Sequence, residues 1–334
     1  MKNMKKKLNF TLGDLVPIIS FAVIFVFFAF ATKGKILSAY NLKSIVDQSI
    51  QTIILACGMI FVVAQGSTDL SVGVNLAVSG IIANTVAIAA GAPWLVFPVA
   101  IIIGTLLGLF NGFLVAKCKV PSFMVSLAML IGMRGVATYL LTVFDAQLIP
   151  ASLKFLNASY IKFPAFIIIC AVTCYVLEFT KIGRYSKAIG ENEETARNVG
   201  IPITRMKIIV FAISGLLAGI GGIFNLVSVG GTSMQMGAFA EMKVCMAIYF
   251  GGVLVTGGHS TKFYKFILGS LSITVIILGL ALMGYSSTEY TEAIEGVLLL
   301  IILFLTIRAN NIKKKIHKED APAAIAETAG SPET

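Results

Sequence analysis

The chain has 334 residues, of which 57% are hydrophobic and 13% charged, and it carries a formal net charge of +10. A soluble domain carries about 25% charged residues, so this composition excludes one, and a mean hydropathy of +0.92 marks a polytopic membrane protein. The positive charge does not imply nucleic acid as a partner, because the basic residues sit beside apolar runs instead of collecting on one soluble face.

The N-terminal tail, 1–13, is basic (Lys2, Lys5, Lys6, Lys7). The apolar stretch 14–32 follows it without an A-x-A cleavage site, so it is read as a retained first transmembrane helix and not as a signal peptide. Further runs long enough to cross about 30 Å of hydrocarbon cover 45–65, 71–91, 93–116, 121–144, 163–179, 208–229, 265–284 and 292–308. A shorter run, Val244–Thr256, brings the expectation to about ten spans in an all-α membrane domain over 14–308. The C-terminal tail, 309–334, is basic and then rich in Ala, Pro, Glu and Ser, and is expected to be disordered in the cytoplasm.

Orientation follows from the basic residues. With the N-terminus inside and ten crossings, nineteen of the 26 Lys and Arg lie in cytoplasmic segments: four in the tail, two at 117–119, six in 181–207, two at 262–265 and five from 308 onward. Five lie outside, and Arg134 and Lys243 fall within spans. This bias places both termini in the cytoplasm.

Several spans depart from simple rods. The tight reversal Gln65–Gly73 carries Asp69 and Ser71, either of which has the side chain to cap the next helix; a broken helix beside a transport pathway is the other reading. Asp69, Ser71, Asn75 and, with weaker support, Asn111 are the candidate pathway residues. Gly104, Gly108 and Gly112 repeat every four residues, as do Gly215 and Gly219, which makes close helix-packing faces, with a subunit seam as one setting for them. Asn84 and Asn225 read as residues bonding helix to helix, and Arg134 as one that snorkels or pairs within the bundle. The five cysteines lie in or beside apolar runs and read as small buried hydrophobes without a metal site.

Lys181–Lys207 is the longest polar passage between apolar runs, with six basic residues and Glu191, Glu193 and Glu194. It reads as a short cytoplasmic helix bounded by Gly190 and Gly200 that meets a partner. Val244–Thr256 is too short to cross unaided and runs into paired glycines, which suggests a discontinuous or re-entrant segment. His259 reads as a loop residue at the cytoplasmic edge. No P-loop, H-E-x-x-H or Ser-His-Asp set occurs, so no catalytic residue, metal site or cofactor fingerprint is assigned, and ATP would have to be held by another chain.

Taken together, Asp69-Leu70-Ser71-Val72-Gly73, Asn111-Gly112, Lys117 with Val120-Pro121-Ser122-Phe123, Arg134-Gly135, the run Gly183–Ile201 and the pairs Gly251-Gly252 and Gly257-Gly258 form a recognisable set. Over about residues 45–308 the chain resembles the ribose-type ABC transporter permeases, membrane subunits of bacterial sugar importers in the larger group that includes branched-chain amino-acid permeases. The resemblance implies location in the bacterial inner membrane among its lipids, and import of a monosaccharide or similar hydrophilic solute. It also implies two cytoplasmic ATP-binding subunits, an extracytoplasmic solute-binding protein and a second permease subunit, identical or not. It further implies that the 181–207 loop couples to the ATPase, through Gly190, Glu191, Asn192, Glu194, Ala196, Arg197 and Gly200. The chain departs from the family pattern in the extra residue of Gly66-Ser67-Thr68-Asp69, in Met242-Lys243 and in Ser260. The alternative is a secondary transporter driven by an ion gradient, for which Arg134, Glu178, Glu241 and Lys243 are the only ionisable candidates in or near the spans. A non-transporting scaffold or receptor is a third reading.

Overall fold

The computed structural model describes residues 12–285 and scattered positions from 290 to 308. The expectations for most of 1–13, for the span 292–308 and for the tail 309–334 fall wholly or largely outside them. Among the described residues the regular elements are all helical: α1 (Leu12–Ala31), α2 (Ala39–Ala64), α3 (Val72–Ala89), α4 (Val96–Ala116), α5 (Ser122–Phe144), α6 (Ser159–Phe179), α7 (Lys181–Glu191), α8 (Glu193–Asn198), α9 (Ile203–Val229), α10 (Ala240–Phe250) and α11 (Phe263–Leu282).

Seven helices among the described residues, α2 to α6, α9 and α11, are long and apolar enough to cross a membrane. The expectation of about ten counted two more segments here. The apolar part of α1, Pro17–Ala31, is shorter than the others. The tenth segment, read as Val244–Thr256, is a helix of 11 residues that begins earlier, at Ala240, and stops at the Gly251-Gly252 turn.

The core is built on α2, α3, α9 and α10. From Ile53 to Ala64 every residue of α2 is buried, so this half of the helix is apolar on all sides, as a central segment must be. By contrast, α5 and α6 are peripheral, and they turn Met124, Ile131, Ile168, Tyr175 and Phe179 outward. Such a surface suits hydrocarbon, which is as apolar as leucine. Local signals set the ends. Ser38 caps α2 by accepting the Asn41 N–H at 3.2 Å, and Gly230, with φ of 88°, closes α9 in the left-handed conformation that favours glycine.

The glycine faces meet each other inside one chain. Gly104 and Gly108 of α4 lie against Gly215 and Gly219 of α9, and Gly112 lies against Ile208. A methyl group on Gly108 would stand 2.9 Å from the Gly215 Cα, closer than real carbon contacts allow. The seam is therefore intramolecular, which corrects the subunit-seam setting; sequence spacing shows a small-residue face but not its partner. The cysteine reading also needs amendment. Cys57 and Cys245 are buried, Cys170 and Cys174 are half-buried, and Cys118 is exposed just past α4.

Candidate functional site

Two irregular segments break the helices inside the bundle. The first, 65–71, joins α2 to α3. Asp69 lies at its centre, 1% exposed. Its Oδ1 accepts the Ser71 N–H at 3.0 Å and the Ser71 hydroxyl at 2.6 Å, and its Oδ2 accepts the Ser214 hydroxyl of α9 at 2.7 Å. Asn111 Nδ2 of α4 donates to Ser71 Oγ at 2.7 Å. The capping expectation is met only in part: Asp69 accepts a backbone N–H before α3, while Ser71 gives its hydroxyl to the carboxylate and caps nothing. A buried carboxylate without an ion partner needs several donors, and this one has three.

Asp69, Ser71 and Asn111 thus form one network with Ser214. Asn75 stands apart, one turn into α3, with its Nδ2 donating to the Gly104 carbonyl at 3.3 Å. Ser214 was missed because a serine in an apolar helix carries no sequence signal of its own.

The second break, 231–239, separates α9 from α10. It starts beside the α5–α6 connection, where Leu148 and Gly231 form the lone bridge of the described residues, and then descends. Arg134, midway along α5, donates to the Met236 carbonyl at 2.8 Å and the Gly237 carbonyl at 3.1 Å. The segment therefore runs at the depth of a helix centre, and α10 begins there. Arg134 neither snorkels nor forms an ion pair among the described residues; it donates to carbonyls of an irregular segment that lacks a regular ladder. The second break meets the first turn of α3, where Gly237, with φ of 66°, lies against the Gly73 carbonyl. Glu241 is buried beside Gly73, and its Oε2 finds no hydrogen-bond partner among the described residues.

The polar passage 181–207 folds as two helices with Asn192 between them, where a single short helix was expected; Ile203–Lys207 belong to α9. Asn192 caps α8 by accepting the Thr195 N–H at 2.8 Å. Glu193 and Glu194 occupy the first turn of α8, where the helix dipole favours acidic groups, whereas Glu191 ends α7. Ile189, Ala196, Ile203 and Met206 pack into a small core that ties α7, α8 and α9 together. Glu194, Arg197 and Val199 are exposed, and Arg197 pairs with Glu193 at 3.1 Å. Gly200 turns the chain with φ of 85°.

The inner side of α7 grips the membrane bundle. Gly190 lies against the Ala64 carbonyl at the end of α2 and against Gly258, leaving no room for a side chain. Glu191 Oε1 accepts the His259 N–H at 2.6 Å, and Gln65 Nε2 donates to Ser186 Oγ at 3.2 Å. Lys187 pairs with Glu178 at 2.7 Å. One helix, α7, thereby touches both the start of the first break and the turn that follows α10.

The family model described as branched-chain amino acid transport system / permease component matches residues 41–303. The ribose import permease protein of Haemophilus influenzae is 31% identical over 92% of this chain and 98% of its own. The fructose import permease protein of Rhizobium meliloti is 28% identical, covering 86% and 83%. The L-arabinose ABC transporter permease protein of Azospirillum brasilense is 33% identical, covering 77% of each. No solved structure matches the chain significantly.

Proposed function

The chain belongs to the branched-chain amino acid transport system / permease component family, and from that premise we propose that it carries a monosaccharide or similar small polyol into a bacterial cell. As a member of that family it is a multi-pass membrane permease subunit of an ABC importer, not an enzyme. Relatives named for ribose, fructose and L-arabinose support the sugar. In this reading the permease has about ten membrane helices with both termini in the cytoplasm, as the excess of basic residues there favours. ATP is bound by separate cytoplasmic subunits, a binding protein delivers the solute from outside, and a second permease subunit completes the assembly.

The observation that carries the mechanism is the position of α7 and α8. Glu194, Arg197 and Val199 offer an exposed face to an ATP-binding subunit, and buried Ala196 holds that face on the small core. Motion of α8 passes through α7 to Gly190, Glu191 and Ser186, hence to the first break and to the turn that follows α10. That is a rigid-body push onto the two places where helices are already interrupted.

Two changes separate docking from transmission. The Glu194→Arg, Arg197→Glu double variant should retain about tenfold less ATP-binding subunit on co-purification, since charge reversal on a docking face costs on the order of 1.4 kcal/mol or more. Glu191→Ala should bind the ATPase as wild type does yet lose most ATP-dependent uptake, because its bond to the His259 N–H is gone. Undiminished co-purification in the first variant, or undiminished uptake in the second, removes those residues from coupling.

A further inference from the structure

A polar cavity of about 220 Å³ lies inside the single chain, between α2, α9, α10, α11 and the 231–239 break. Its walls carry four carboxamides (Gln48, Gln51, Asn225, Gln235), the hydroxyl residues Thr52 and Thr274, and Lys243. No Asp or Glu lines it. The volume would hold on the order of seven waters at ~30 Å³ each, enough for a small molecule that carries its own hydroxyl shell.

Its depth makes the lining informative. Gln51 and Thr274 sit near the middle of α2 and α11, and Gly237, also in the wall, is held by Arg134 at the middle of α5. Gln51 at that level, with its partner Asn225, is unfavourable unless it pairs or faces a water-filled space. Irregular backbone at membrane depth, such as 231–239, is tolerated where it is buried in protein or lines such a space. Pairing uses only part of the capacity. Asn225 Nδ2 donates to Gln51 Oε1 at 2.9 Å, which leaves Gln51 Nε2 and Asn225 Oδ1 without a protein partner among the described residues. Thr274, by contrast, is committed, accepting from the Ser49 hydroxyl at 2.9 Å and donating to the Ser270 carbonyl at 3.0 Å.

We propose that this cavity is a solute-binding subsite for an uncharged polyhydroxylated molecule, with Gln51 and Asn225 as its principal hydrogen-bonding pair. A carboxamide presents a donor and an acceptor side by side, as each hydroxyl of a polyol does. A row of carboxamides therefore matches vicinal hydroxyls, whereas a cation would want carboxylates and finds none in these walls. The inference rests on the import reading above and adds the place within one subunit where the solute is held.

The test uses the complete reconstituted complex, the permease with its ATP-binding subunits and binding protein in proteoliposomes, and also the permease alone in nanodiscs. Radiolabelled D-ribose, D-xylose, L-arabinose and D-fructose are the probes. The permease alone should bind at least one of them saturably and weakly, in the millimolar range. Gln51→Leu, close in volume, should weaken that binding about tenfold, the effect expected from losing one buried hydrogen-bonding group. Ile277 of α11 is an apolar part of the wall, and Ile277→Trp, which fills the cavity without removing a polar group, should do the same while ATP hydrolysis by the complex continues. Wild-type uptake of a sugar with unchanged binding and uptake in both variants would overturn the subsite and leave the import reading standing. Tighter binding of D-ribose 5-phosphate than of D-ribose would overturn the uncharged class. No uptake of any of the four by the wild-type complex, with no binding to the permease alone, would overturn both readings.

Discussion

Asp69→Ala is expected to shorten the thermal half-life of the purified permease severalfold and to abolish uptake. The change removes three hydrogen bonds to a buried carboxylate, at 3.0, 2.6 and 2.7 Å. It also leaves the Ser214 hydroxyl without its acceptor and frees Ser71, to which Asn111 is tied. Hydrogen bonds to charged groups contribute about 1.5–3 kcal/mol each, and they are shared, so a loss of about 3 kcal/mol or more follows. Because membrane proteins seldom unfold reversibly, the fitting measurement is the fraction surviving size-exclusion after timed heating. Asp69→Asn keeps one acceptor oxygen and should lose less than half as much. Wild-type survival in the alanine variant would show that the network does not hold the 65–71 break in place.

Gly108→Leu is expected to yield almost no folded protein. The added side chain meets the Phe211 carbonyl and the Gly215 backbone of α9, neither of which can rotate aside. Overpacking a core with room to adjust costs about 1–3 kcal/mol. Here two helix backbones must part along the whole seam, uncovering Ala100, Phe211 and Ala218, each 0% exposed. Gly132→Leu on α5 is the control, since nothing lies within 4 Å of the position its Cβ would take, and it should accumulate like the wild type. Equal membrane levels of the two variants would remove the seam as a determinant of folding.

How far the sequence could be read depended on distance along the chain. Apolar length located α5 within a residue of its observed start, because Pro121 and Ser122 punctuate it. The start of α9 lies five residues before the apolar run, since the helix continues through the polar residues Arg205 and Lys207, and Lys207 pairs with Glu193 at 2.8 Å. Asp69 admitted two readings because its decisive partner, Ser214, is 145 residues away. The glycine repeats were plain, while the identity of the face they meet was not. Asn225 read as a helix-to-helix bond, and its bond to Gln51 is one. The cavity did leave a trace: Gln48, Gln51 and Thr52 stand at i, i+3 and i+4 in the more polar N-terminal half of α2, on one face of the helix.

The long reach from Asp69 to Ser214 also bears on how the protein is made. Ribosomes add roughly 5–20 residues per second, so the 145 residues between the two take roughly 7–30 s to appear. Until α9 enters the membrane, Asp69 lacks one of its three donors, and the Gly104 and Gly108 faces of α4 have no partner to close on. The helices made before α9 therefore wait without the partner that closes the glycine face of α4. The middle of the bundle is closed by a helix that arrives late.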